Sequence, residues 1–176
     1  MGMIWKTWCL AVALALLGAT GAPAQTWTEY RPQNGRFFIS MPGTAKTEVQ
    51  TAPLPNNRST QTYQGSVETP SALYMATFMD YPADLISAAP PDKLLDGGRD
   101  GLLRGGHTLR SEKRLTIAQS PGREYVIART DNIVIVTRAF LVATRVYLIQ
   151  VYGRPGVEQH PDTAKFLESF RLLTGN

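Results

Sequence analysis

The sequence predicts an α+β protein, an antiparallel β-sheet covered by helices on both faces in an α/β/α sandwich. Three observations carry this. Close turns join consecutive strand-like segments between residues 107 and 152, the pattern of a meander. Its last segments are apolar on both faces, as in strands with no wet side. Two stretches, 91–104 and the segment beginning at Pro161, carry apolar residues at helical spacing and are the available covers.

Residues 27–80 read as a set of short strands. Phe37-Phe38-Ile39-Ser40-Met41 ends at the turn pair Pro42-Gly43. Thr47–Thr51 and Thr60–Gln64 follow, and Ala72–Met79 is richer in aromatics and methionine. Thr51 to Ser66 reads as the most loop-like segment, because Pro53, Pro55, Asn56 and Asn57 fall within it. Tyr81 to Pro91, with three prolines, reads as a second break within one domain.

The 91–104 helix places Leu94, Leu95, Leu102 and Leu103 near one stripe, with Asp92 in its first turn. Gly97, Gly98 and Gly101 oppose it at about 1 kcal/mol each relative to Ala, so packing must hold it. Gly105-Gly106 is the natural stop. From His107 to Ala118 the chain alternates, with Leu109, Leu115 and Ile117 on one face and Arg110, Glu112, Arg114 and Thr116 on the other. Ser120-Pro121-Gly122 turns it into 124–129, Asp131-Asn132 into 133–142, and Thr144-Arg145 into 146–152. Ile133 to Val136, Phe140 to Val142 and most of Val146 to Val151 are apolar without alternation. The last helix carries Ala164, Phe166, Leu167 and Phe170 and stops before Gly175.

The first 24 residues read as a signal peptide. Lys6 supplies the charged region, Ala11 to Leu17 the apolar one, and Ala22-Pro23-Ala24 a small-residue cleavage site. Cutting is expected after Ala24, which places the protein in the periplasm or outside the cell. The apolar run falls short of the ~20 residues of a membrane span, so no stable span is expected after cleavage. Cys9 precedes most of that run, where lipidation is not expected, and it is the only cysteine. The mature chain then has no disulfide, thiol nucleophile or cysteine-based metal site. Residues 25–176 number 152, a length that fits one domain. Without Lys6 they hold 17 basic and 14 acidic residues, a net charge of +3. Basic residues do not cluster, and Arg99-Asp100 and Arg123-Glu124 set charges of opposite sign side by side, so no nucleic-acid partner is expected.

Several motifs recur in a known arrangement: Trp27-x-x-Tyr30, Gly35-x-Phe37-x-Ile39-x-Met41-Pro42-Gly43, and Tyr63 with Tyr74. Pro121-Gly122-Arg123-Glu124, Thr144-Arg145-x-Tyr147 and Phe166-Leu167-Glu168-Ser169-Phe170-Arg171-Leu172 follow. This layout resembles the fold group that contains the extrinsic photosystem II protein PsbP, the bacterial envelope protein DcrB and a Ran-binding nuclear import factor. It is most similar to the group's small exported bacterial proteins. The resemblance spans residues 27–172 and implies a binding or assembly role without a shared catalytic constellation, so it transfers no site residues.

The remaining motifs bear on chemistry. His107 and His160 lie 53 positions apart, and neither has a His or Cys three or four residues away, so neither a metal nor another cofactor is expected. No G-x-S-x-G elbow is present. Asp92, Asp96 and Asp100 fall at helical spacing and read, with Asp80 and Asp84, as solvated acidic positions offset by Lys93, Arg99 and Arg104. The candidate binding residues are Arg123 and Glu124, placed outward at a turn where a rigid sheet could present a recognition corner. The expectation is an exported, non-catalytic binding or assembly protein whose partner is another envelope protein. Two rivals stand beside it. A small-ligand carrier predicts a cavity between sheet and helix lined by Tyr63, Tyr74, Phe78 and the 91–104 leucines. A hydrolase requires His107 or His160 to meet an acid and a hydroxyl.

Overall fold

A computed structural model describes residues 25–173; the expected signal peptide and Gly175, the expected stop of the last helix, lie outside them. The strands are β1 (Thr28–Tyr30), β2 (Phe37–Met41), β3 (Lys46–Leu54), β4 (Arg58–Glu68), β5 (Ala72–Asp80), β6 (Thr108–Ile117), β7 (Ser120–Ala128), β8 (Val134–Val142), β9 (Arg145–Gly153) and β10 (Arg171–Leu172). Helices are α1 (Ala83–Ser87), α2 (Pro91–Leu103) and α3 (Pro161–Ser169). Seven strands form an antiparallel sheet in the order β3-β4-β5-β9-β8-β7-β6, and β1-β2-β10 form a second, small one. The protein is of the α+β class with mostly antiparallel sheets.

Alternate side chains of the central strands enter two separate cores. On one face Phe140 of β8, Tyr147, Ile149 and Val151 of β9, and Tyr74 and Phe78 of β5 meet Phe37, Ile39 and Met41 of β2 and Phe166 and Phe170. On the other, Tyr125, Ile127, Ala139 and Leu141 meet Leu95 of α2. Central strands apolar on both faces are therefore covered on both faces. The covers differ from the expected helix on each side. Because β2 turns Phe37, Ile39 and Met41 inward, the small sheet shares the first face with α3.

Four local expectations need correction. The segment 51–66 is a hairpin rather than a loop: Asn56 and Asn57 adopt positive φ and close a tight turn, and Pro53 lies in the edge strand β3, where a missing N–H is tolerated. In β6 a bulge between Leu109 and Ser111 flips the alternation, so Leu109 packs on the α2 face and Leu115 and Ile117 on the opposite one. The β6–β7 turn is made by Ala118 and Gln119, both at positive φ, so Ser120-Pro121-Gly122 already belongs to a strand. The last helix ends at Ser169, with Phe170 extended and β10 pairing with β2. The predicted α2 starts with Pro91 and stops before Gly105 and Gly106, whose φ values of +86° and +82° suit glycine.

Candidate functional site

The displaced turn decides where Arg123 and Glu124 go. They sit inside β7, so successive side chains point to opposite faces. The Arg123 side chain is only 5% exposed, on the α2 face. Its Nη2 donates to Asp92 Oδ1 at 2.7 Å, and its Nε lies 3.3 Å from Glu112 Oε1. Arg99 joins the same cluster, 2.7 Å from Glu112 and 2.8 Å from Asp100. The Arg123 hydrogen bond, with the nearby charge of Arg114, holds the Asp92 carboxyl below its ordinary range. Asp92 and Asp96 are thus latches of α2 onto the sheet rather than a plain solvated face.

Glu124 enters the other face, 2.8 Å from Lys113 Nζ and 2.5 Å from Arg138 Nε. Burial raises its carboxyl pKa, but the bonds from Lys113 and Arg138 outweigh it and leave the group below its usual range. Arg138 also donates to the Leu167 carbonyl at 2.9 Å, tying β8 to α3. Neither residue forms an outward recognition corner. The glycine before them has a packing reason, since a Cβ on Gly122 would stand 2.4 Å from Phe140 Cδ1.

His160 Nδ1 lies 3.7 Å from Asp162 Oδ2, and among the described residues neither histidine hydrogen-bonds a hydroxyl. His160 caps α3, its Nδ1 accepting the Asp162 amide N–H at 3.2 Å. His107 is half-buried with its Nδ1 shielded and unbonded. Among the described residues no group of three or more His, Cys, Asp or Glu could hold a metal ion.

The expected ligand cavity divides between the two faces. Tyr74 and Phe78 are packed into the β2/α3 core, and Tyr63 stacks on Phe78 with centroids 4.8 Å apart. The α2 leucines lie on the opposite side. There an apolar cleft of 390 Å³ opens between α1–α2 and the sheet. Its roof is Leu94, Leu95, Gly97 and Gly98 of α2 with Leu85 and Ile86 of α1. Tyr125, Ala139, Leu141, Val146 and Leu148 make the floor, while Met79, Tyr81 and Pro55 also line it. Among the described residues no charged side chain lines it. Burial pushes the Tyr125 phenol up to about 12, so it remains protonated. Beside the cleft, Arg58 spans from the Pro55 turn to α1. Its amide donates to the Pro55 carbonyl at 3.4 Å, and its Nη1 pairs with Asp84 at 2.9 Å. The Nε and Nη2 of Arg58 are shielded from solvent and have no acceptor among the described residues.

A second hollow of 920 Å³ has a mixed lining that includes Arg31, Arg36, Arg145 and Asp80. Arg145 grips Asp80 through two bonds of 2.7 and 2.6 Å, which hold the Asp80 carboxyl below its ordinary range. Sequence reasoning reached Leu94 and Leu95 but missed Leu85, Ile86, Met79 and Tyr125. The apolar pair Leu85-Ile86 inside a Pro-rich break was the available signal.

No family model and no curated protein matches this chain. Solved structures do. The solution structure of cyanobacterial PsbP (CyanoP) from Synechocystis is similar over 89% of this chain and 98% of its own, with a TM-score of 0.51 and 8% identity. The fold is PsbP-like. A crystal structure of a Pseudomonas aeruginosa protein of unknown function, a putative regulator, aligns over 79% of this chain and 91% of its own, with a TM-score of 0.44 and 12% identity. At 8% identity the PsbP match speaks to backbone architecture alone, and that architecture agrees with the PsbP-like group that the sequence resembles.

Proposed function

We propose that this PsbP-like chain is an exported, non-catalytic binding protein of the cell envelope, and that its cargo is a small apolar ligand held beneath α1–α2. In this reading residues 1–24 are removed and 25–176 act as a single domain. The reading takes α2 as the helical cover of one face and α3, beside the small sheet, as that of the other. One observation carries it: the 390 Å³ cleft is lined by apolar side chains and two tyrosines, while Asp92, Asp96 and Arg99 of α2 are engaged in ion pairs. Such a volume falls within the ~300–1,000 Å³ of ligand pockets, which are mostly apolar and preformed. The test is Nile red fluorescence on the purified protein. A saturable rise that is lost in Ala139→Leu, which fills the floor, supports the reading; no rise overturns it.

The expected partner, another envelope protein, is the second reading. It is favoured by β3, an edge strand with Val49 at 56% exposure beside the exposed Tyr63 of β4. Crosslinking in intact cells from Val49 tests it: one dominant envelope protein supports it, and scattered abundant neighbours count against it.

A further inference from the structure

We infer that the cargo of the cleft is a single-chain carboxylate amphiphile, a fatty acid lying tail-inward beneath α2 with its carboxylate on Arg58. This rests on the carrier reading and adds the ligand's class. Three features of the cleft converge on it.

The lining excludes a buried charge. Every side chain facing the cleft is apolar or a neutral tyrosine, so whatever enters must be uncharged along its buried length. At 390 Å³ the space lies near the lower end of ligand pockets, suited to one aliphatic chain rather than a two-chain lipid.

Just outside the lining, Arg58 supplies an unfilled donor edge. Its amide donates to the carbonyl of Pro55, which lines the cleft, and its Nη1 pairs with Asp84, the residue before the lining Leu85. Asp84 occupies its Nη1, leaving Nε and Nη2 shielded from water without an acceptor. A buried donor without a partner is costly and calls for an explanation. Nε and Nη2 form the edge of a guanidinium that meets both oxygens of a carboxylate in parallel. A carboxylate head completes this arrangement, and a hydroxyl head does not.

Part of the roof is backbone. Gly97 and Gly98 line the cleft, and a Cβ on either would meet nothing within 4 Å. Packing against the protein's own atoms gives no reason for glycine there. Close approach of a chain to the helix backbone does.

The experiment is displacement of Nile red from the purified protein by palmitate and by its uncharged analogue hexadecanol, each below its aggregation limit. We expect palmitate to displace at a concentration about tenfold or more below that of hexadecanol. Arg58→Gln is expected to erase that preference while leaving hexadecanol unchanged, and Gly98→Leu to weaken both. If Arg58→Gln lowers the melting temperature, Arg58→Lys keeps the charge without the fork and is expected to lose most of the preference. Equal displacement by the two compounds in the unaltered protein overturns the carboxylate assignment and leaves the carrier reading standing. A preference that survives both Arg58 variants removes Arg58 from the site. No Nile red signal at all overturns the carrier reading itself.

Discussion

One strand meets two different fates in this molecule. On the β2/α3 face, β9 buries Tyr147, Ile149 and Val151 almost completely. On the α2 face the intervening Val146 and Leu148 remain half-buried over the cleft. The first face is closed by an aromatic lattice, with Phe37 5.6 Å from Tyr147 and 5.3 Å from Phe170 between ring centroids. The second is fastened by charge along the β6–β7 side and left open towards β5 and β9. Equal hydrophobicity in sequence thus serves cohesion on one face and, in our reading, binding on the other. A single sheet can do both when its two covers are fastened differently.

The largest effect that separates the faces is truncation. Ile149→Ala opens a cavity in the closed core and is expected to cost about 4 kcal/mol, while Leu95→Ala, beside space already open, is expected to cost about 2 kcal/mol. Urea unfolding of the two variants checks this, and equal losses would break the contrast.

Next comes the fastening of α2. Arg123→Met removes the cation on which Asp92, Asp96 and Glu112 converge. Loss of a buried ion-pair partner costs about 3–5 kcal/mol. These carboxylates are partly exposed, so a loss of about 2 kcal/mol is expected here. Hydrogen exchange should rise in α2 and stay unchanged in α3; a uniform rise would mean that the network supports the whole fold.

Acid sharpens the same point with a smaller effect per group. The carboxyls of Asp80, Asp92 and Glu124 are all held below their ordinary values in the folded protein. The folded state therefore binds fewer protons than the unfolded one as pH falls. Their contribution is fully present above about pH 5 and is lost as pH drops below about 4 towards the lowered native values. A melting temperature that stays flat between about pH 6 and about pH 3 would show that these pairs contribute nothing.

The smallest effect has the opposite sign. Gly97→Ala and Gly98→Ala meet open space and are each expected to stabilise α2 by up to about 1 kcal/mol, read by thermal unfolding. Destabilisation would mean that the helix backbone needs freedom at these two positions.

What was legible in the sequence followed from period and punctuation. The β6–β9 meander and α2 carry strong apolar patterns and clear stops at Gly105-Gly106 and Asp131-Asn132. The small sheet was hidden because β1 and β10 span three and two residues, too few to display a period. A one-residue bulge moved Leu115 and Ile117 across the sheet, which alternation alone has no means to signal. Arg123 and Glu124 read in the sequence as an outward corner, yet both side chains turn into ion-pair networks on opposite faces of the sheet. Their partners come from α2, β6 and β8, and that proximity exists only after folding. The cleft was half visible: its leucines were marked, but its floor was assigned to aromatics that belong to the opposite face.

The strand order has a kinetic consequence. β3-β4-β5 and β6-β7-β8-β9 each pair neighbours in sequence, so both meanders can form through short-range hairpins. Within the seven-stranded sheet the β5–β9 seam joins distant segments, and its Asp80–Arg145 rung spans 65 residues. Closing a loop of that length must precede the gain from the seam's nine paired positions. The folding rate of the whole sheet is therefore set at one line between two preformed halves, and the Asp80–Arg145 pair is the clasp at its end.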